Sequence, residues 1–495
     1  MRAFADQGVF GRFVRDVGLS FASLAISQLV YFILRLFLGN YLGPADLGLY
    51  TLSYTCYSLG VLLSAFGIGG ALVKYVAESK EDARRMGRLL FVGVVFSFLV
   101  GCLTWLVLHF SAPWISLQFF EMPELSGLLR IVAIALPFIA LQRATLGFLN
   151  GLRRMTLFAF VNVYQGVLTM VLTVVLVLLG YGLEGAVVAL VIPIILMSLF
   201  SLFATQRYLS RPSPGESGGI LWMLIKFGVP LVLGSSMYML FENVDRIVLG
   251  YYRDEETVGI YAAAALLSVI VTLIPTSIMY VTGPAIASHW GRGETDRIQD
   301  LVNRIMKYTA LIIVPISFAG VLLSRDILLL LFRGDWDYVS ATVPLQILLV
   351  GFIFAGIYQS VGTALNMAGW VQVAFLLGAV QVAVNTVLCI VLIPHFGMNG
   401  ASVSTASALA FGTLLSLYFV QRLIKIKIDW WWFVRFLTIG GAVIAGGYAL
   451  GRIVSPYVCV VVGLAILAFI ILKFFLTAED WETIRRLVPL KKSHS

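Results

Sequence analysis

The chain has 495 residues, of which 60% are hydrophobic and 12% charged, with a formal net charge of +9. A water-soluble domain carries about a quarter charged residues. A mean hydropathy of +0.97 therefore excludes an ordinary soluble domain and marks a polytopic membrane protein.

The first 17 residues, "MRAFADQGVFGRFVRDV", lack the charged, apolar and cleavage regions of a secretory signal. They read as a short interfacial helix with Phe10, Phe13, Val14 and Val17 on one face, or as a frayed tail. Apolar runs then recur at about the length needed to cross a bilayer, roughly 20 residues. They predict helices over 18–38, 48–76, 88–111, 128–150, 156–179, 184–208, 221–249, 257–285, 301–323, 339–365, 371–393, 399–423, 433–453 and 456–476, fourteen in all.

The loops test that map. With the N-terminus placed in the cytoplasm, 27 of the 34 Lys and Arg fall on cytoplasmic segments and helix ends. Five fall outside (Arg130, Arg253, Arg325, Arg333 and Arg452), and two, Arg35 and Arg246, sit within helices. This split follows the positive-inside rule and places both termini in the cytoplasm, in the cell membrane. The basic excess is thus topology plus attraction to anionic lipid, and implies no nucleic-acid partner. "DWWWF" at 429–433 suits an aromatic belt.

Intramembrane polar residues are the candidate functional groups. In helix 1, Arg35 stands without an acid within a turn; it faces a water-filled cavity or an anion, or snorkels outward. Arg143 reads equally as a cavity floor or as a basic anchor. Helix 5 carries Asn162, Gln165, Thr169 and Thr173 near one face, and helix 11 carries Gln381, Asn385 and Cys389. Such stripes suit sugar hydroxyls or serve as interhelical glue. In helix 7, Glu242, Asp245 and Arg246 lie at i, i+3 and i+4. One arginine offsets one carboxylate, so the other is a candidate site for a coupling proton or sodium, or Arg35 from the other half completes the neutralisation; the remaining alternative is a salt bridge beyond an early helix end.

Cys56, Cys102, Cys389 and Cys459 all lie in apolar runs and read as packing residues, and the four histidines show no ligand spacing, so no metal site is expected. "DWD" at 335–337 imitates a glycosyltransferase metal motif but reads better as a turn. No P-loop, HExxH or nucleophile elbow occurs, so no catalytic residue and no cofactor is assigned, and the chain is not expected to be an enzyme.

The sequence also repeats. A shift of 211 lays "LRLFLGNYLGPADLGLY" on "DRIVLGYYRDEETVGIY", matching Arg35 with Arg246, Gly48 with Gly259 and Tyr50 with Tyr261. A shift of 215 lays "GLEGA" (182–186) on "GMNGA" (397–401). The resulting organisation is an N-terminal segment (1–17), a six-helix bundle (18–209), a flexible cytoplasmic linker (210–220), a second bundle (221–424), and two extra helices with a cytoplasmic tail (425–495). An even helix count makes the repeats parallel, two bundles around a central cavity in an all-α membrane protein.

These motifs resemble a known family. "LGNYLGPADLGLY", "DRIVLG" (245–250), "LLFRGDWDYV" (330–339) and "NTVLCIVLIPHFGMNGASVSTA" (385–406) are similar to elements of polysaccharide-type flippases in the multidrug/oligosaccharidyl-lipid/polysaccharide exporter superfamily. The last departs from the family pattern at Cys389 and Ser402. The resemblance implies a monomer that moves a polyprenyl-diphosphate-linked oligosaccharide from the inner to the outer leaflet by alternating access. Glycosyltransferases or a glycan polymerase are the implied partners, together with membrane lipids. In the lipid II branch an ion site near helices 7, 11 and 12 brings in Asn385 and Thr405 by resemblance. A drug/cation antiporter of the same superfamily, a membrane glycosyltransferase or polymerase, and a non-transporting scaffold are the competing readings. Neither the glycan nor the carrier, undecaprenyl or dolichyl, is encoded in a motif.

Overall fold

The computed structural model describes residues 26–333, 337–451 and 453–476. The segment expected at 1–17, Asp335 of the "DWD" turn and the basic tail lie outside the described residues. Among the described residues every regular element is helical, and eleven stretches are long and apolar enough to cross a membrane. Two of those stretches, Met155–Tyr208 and Val371–Leu423, have 54 and 53 residues, far more than one crossing of about 20 needs.

The chain divides into two compact units, the first formed by Met1–Ala263 with Val382–Ala401 and the second by Ala264–Gln381 with Ser402–Ser495. The first unit begins with α1 (Ile26–Leu42), α2 (Pro44–Ala65) and α3 (Ile68–Glu78). The single helix expected over 48–76 is thus broken. Phe66 and Gly67 take left-handed φ of 44° and 71°, which ends α2 and restarts the chain as α3.

Next come α4 (Ala83–Trp114), α5 (Leu125–Ala133), α6 (Ala135–Gly151), α7 (Met155–Leu176), α8 (Gly182–Thr205), α9 (Pro214–Tyr252) and α10 (Glu255–Val269). Asp82 caps α4 by accepting the Arg85 N–H at 2.9 Å. The core of this unit joins Ile68 and Leu72 of α3, Leu90 of α4, Phe148 of α6 and Leu224 of α9.

The linker expected over 210–220 is shorter than its composition suggests. A capping box between Ser213 and Glu216, with Pro214 in the first turn, starts α9 inside it. Glu216 also pairs with Arg88 of α4 at 2.7 Å.

The second unit contains α11 (Leu273–Gly291), α12 (Thr295–Leu331), α13 (Thr342–Met367), α15 (Trp430–Gly451) and α16 (Pro456–Ile470). α14 (Val371–Leu423) contributes residues to both units. α12 packs on α13, α15 and α16. There Gly463 leaves room for the Phe318 ring, which would lie 2.1 Å from an added Cβ.

Glycine places two further features. Gly182 (φ 52°, ψ −138°) ends the turn after α7, and Gly397 (φ 55°, ψ −133°) breaks α14 in the same conformation. That region is open in practice to glycine alone. Pro394 lies one turn before the second break, and its carbonyl accepts from Arg253 Nη2 at 3.1 Å. Gly48 of α2 and Gly259 of α10 mark a crossing where backbone meets backbone. A Cβ on Gly48 would sit 1.8 Å from the Glu255 carbonyl oxygen, and one on Gly259 would sit 1.8 Å from that of Pro44. The contact is reciprocal, since 44 and 255 are also 211 apart.

Candidate functional site

The first unit gathers α1, α2, α9 and α10 around a polar cluster. α9 does not end early. It runs through Tyr252, so Glu242, Asp245 and Arg246 all lie on continuous helix. The local salt bridge considered from sequence is not formed, because no ion pair joins either carboxylate to Arg246.

Each carboxylate has another partner. Asp245 is 5% exposed; its Oδ2 accepts the Tyr261 hydroxyl at 2.5 Å and its Oδ1 accepts the Arg246 backbone N–H at 2.8 Å. Tyr261, itself fully buried, reaches Asp245 from α10. Exposed Glu242 accepts a hydrogen bond from the Tyr238 hydroxyl, one turn earlier on α9.

Among the described residues neither Arg35 nor Arg246 forms an ion pair. Arg35 lies over the Tyr54 ring, 5.4 Å from its centroid, a cation–π contact worth about 0.5–2 kcal/mol. Arg246 Nε is buried without a hydrogen-bond partner. The two arginines sense each other's charge, and Glu242 attracts Arg35. Arg143 is exposed and acts electrostatically on Tyr57, whose ring is 5.9 Å from that of Tyr54. α2 is held to α9 by Thr55 Oγ1, which donates to Asn243 Oδ1 at 3.1 Å.

The stripe residues separate. Asn162 donates to the Phe158 carbonyl of its own helix at 2.8 Å, and Gln165 accepts from Gln142 of α6 at 2.7 Å. Asn385 is fully buried and accepts from Cys389 Sγ at 3.6 Å. Its Nδ2 has no hydrogen-bond partner among the described residues. Gln381 lies in the second unit, packed so tightly that a Cβ on Gly412 would come within 2.7 Å of its Cδ. Thr405 is also in that unit, with its hydroxyl buried and unpartnered.

Sequence reasoning missed the tyrosines. Tyr50, Tyr54 and Tyr57 recur at i, i+4 and i+7 on α2, Tyr31 lies one turn before Arg35, and Tyr238 one turn before Glu242. That helical spacing was the available signal.

Helices of membrane-crossing length around a partly buried cluster of arginine, tyrosine and carboxylate define a multi-pass membrane protein with a polar site among its helices. A family model described as "Polysaccharide biosynthesis protein" matches residues 37–341, well over half of the chain, and the chain belongs to that family. "Probable flippase AglR" of Haloferax volcanii is 24% identical over 418 residues, 84% of each chain. "Probable low-salt glycan biosynthesis flippase" of the same organism is 21% identical over 466 residues, covering 92% of this chain and 94% of that one. Among solved structures, "Lipid II flippase MurJ, inward closed conformation" superposes with a TM-score of 0.72 over 94% of this chain and 95% of that one, at 17% identity, and so shares the fold.

Proposed function

We propose that this protein is a flippase for a polyprenyl-diphosphate-linked oligosaccharide, carrying the glycan headgroup across the cell membrane from the inner to the outer leaflet. The observation that carries the reading is the pairing of Arg35 and Arg246. They occupy the same place in two copies of one sequence element, they lie within electrostatic reach, and among the described residues neither is ion-paired to a carboxylate. Two guanidinium groups without acid partners suit a diphosphate, which each can grip bidentately. Family membership and the relatives named as flippases support the same substrate class.

The finer architecture follows the repeat. The eleven apolar stretches become fourteen crossings when the two longest count twice and α1 is added (11 + 2 + 1). Residues 18–209 and 221–424 then form two parallel six-helix repeats, with both termini cytoplasmic and a terminal pair appended. The matched backbone at Gly182 and Gly397 supports this register. Arg143 serves first capture of the diphosphate. Asn162, Gln165, Gln381 and Asn385 meet the glycan, and Glu242 or Asp245 takes the coupling proton or sodium. The protein works as a monomer beside the glycosyltransferases or polymerase that make and consume its substrate.

Purified protein in liposomes with a fluorescent polyprenyl-diphosphate oligosaccharide tests the reading. Protein-dependent exposure of the headgroup to a membrane-impermeant quencher is expected. No exposure, or export of a cationic dye in its place, refutes it.

A further inference from the structure

Glu242 and Arg246 stand at i and i+4 on one continuous helix, the spacing and order at which a glutamate and an arginine ordinarily pair. They do not pair here, and the Arg246 Nε stays buried and unpartnered. Glu242 instead accepts the hydroxyl of Tyr238, one turn in the opposite direction. The backbone does not impose this choice, since residues 238 and 246 are equidistant from 242 along the helix.

We propose that Tyr238 is a positioning residue: its hydroxyl parks Glu242 away from Arg246 and so keeps the guanidinium open to an external anion. The inference rests on the reading of Arg35 and Arg246 as a diphosphate site and assigns that site a means of keeping itself unblocked. Without Tyr238, Glu242 is released to pair with Arg246 at i+4 on the same helix. The carboxylate then occupies the place of one phosphate, and an anion must displace it before binding. Asp245 cannot act in this way, because both its oxygens are already engaged, by Tyr261 and by backbone.

The experiment uses the full chain in detergent with farnesyl diphosphate as the probe, followed by calorimetric titration. Tyr238→Phe removes one hydroxyl from an exposed ring and leaves the helix intact. The wild type is expected to bind, and Arg35→Ala and Arg246→Ala to lose binding. Tyr238→Phe should weaken binding about two- to tenfold, the range set by one hydrogen bond. Tyr238→Phe combined with Glu242→Gln should return to wild-type affinity, because a neutral amide no longer competes for Arg246. A merely structural tyrosine gives no such rescue.

The outcomes are distinguishable. If the wild type and Arg246→Ala behave alike, the diphosphate reading fails and the clamp falls with it. If the arginine variants lose binding but Tyr238→Phe binds as wild type, the clamp alone is overturned. The clamp is equally overturned if the double variant stays as weak as Tyr238→Phe.

Discussion

Replacing Gly48 with alanine tests the α2–α10 crossing directly. An ideal Cβ there lies 1.8 Å from the Glu255 carbonyl oxygen, and real Cβ contacts essentially never fall below 3.0 Å, so the helices must part by at least 1.2 Å (3.0 − 1.8). The obstacle is backbone, so no rotamer change relieves it. Overpacking of this kind costs about 1–3 kcal/mol or more, against a helix-propensity gain of at most about 1 kcal/mol for replacing glycine. A backbone obstacle belongs at the upper end of that range, so the net destabilisation is about 2 kcal/mol or more, a large share of the typical ~5–15 kcal/mol stability of a protein. Thermal unfolding in detergent and abundance in the membrane are the measurements, with Gly234→Ala of α9 as control, since nothing lies within 4 Å of its added Cβ. Gly259→Ala should match Gly48→Ala. The double variant should cost less than the sum, because the gap opened by the first methyl admits the second. Wild-type stability in Gly48→Ala, or simple additivity in the double variant, refutes the reasoning.

Three further outcomes are expected. Arg35→Ala and Arg246→Ala, checked for membrane abundance, should each cut flipping at least tenfold, and Arg35→Lys should also lose activity because a point charge cannot grip phosphate bidentately; full activity in Arg35→Ala would place the diphosphate elsewhere. Thr55→Val should cost about 0.6 kcal/mol of stability through its lost bond to Asn243, read as a small fall in melting temperature. The Thr257 hydroxyl and backbone N–H hold the Asp254 carboxyl below its ordinary value of 3.8, and Asp254 Oδ1 accepts that N–H at 2.9 Å at the start of α10. A depressed folded value means that the cap stabilises above pH 3.8 and is lost as pH falls through the folded value. Asp254→Ala should therefore flatten the acid limb of a melting-temperature profile, and an unchanged limb would remove the cap from the account.

The helices were legible because a bilayer imposes a length, and runs of about 20 apolar residues are hard to mistake. Their ends were less so. The break at Phe66–Gly67 depends on two left-handed residues, one of them not glycine, and the start of α9 at Pro214 lay in a stretch whose Pro, Gly and Ser content reads as linker. Arg35 and Arg246 came from the 211-residue shift. Their surroundings did not, because Thr55 meets Asn243 across 188 residues and Tyr261 answers Asp245 from another helix. Counting charges along one helix left a carboxylate uncompensated. The fold supplies hydroxyl and backbone donors instead, which no count of charges contains.

The reciprocal glycine crossing also has a symmetry of its own. Gly48 presses on Glu255 while Gly259 presses on Pro44, so each copy of the element offers the other the same patch it receives. Such an isologous contact is how identical subunits close a two-fold dimer. A chain severed between Tyr208 and Ser213 would keep this crossing as a contact between its two fragments, because Gly48 and Pro44 lie before the cut and Glu255 and Gly259 after it.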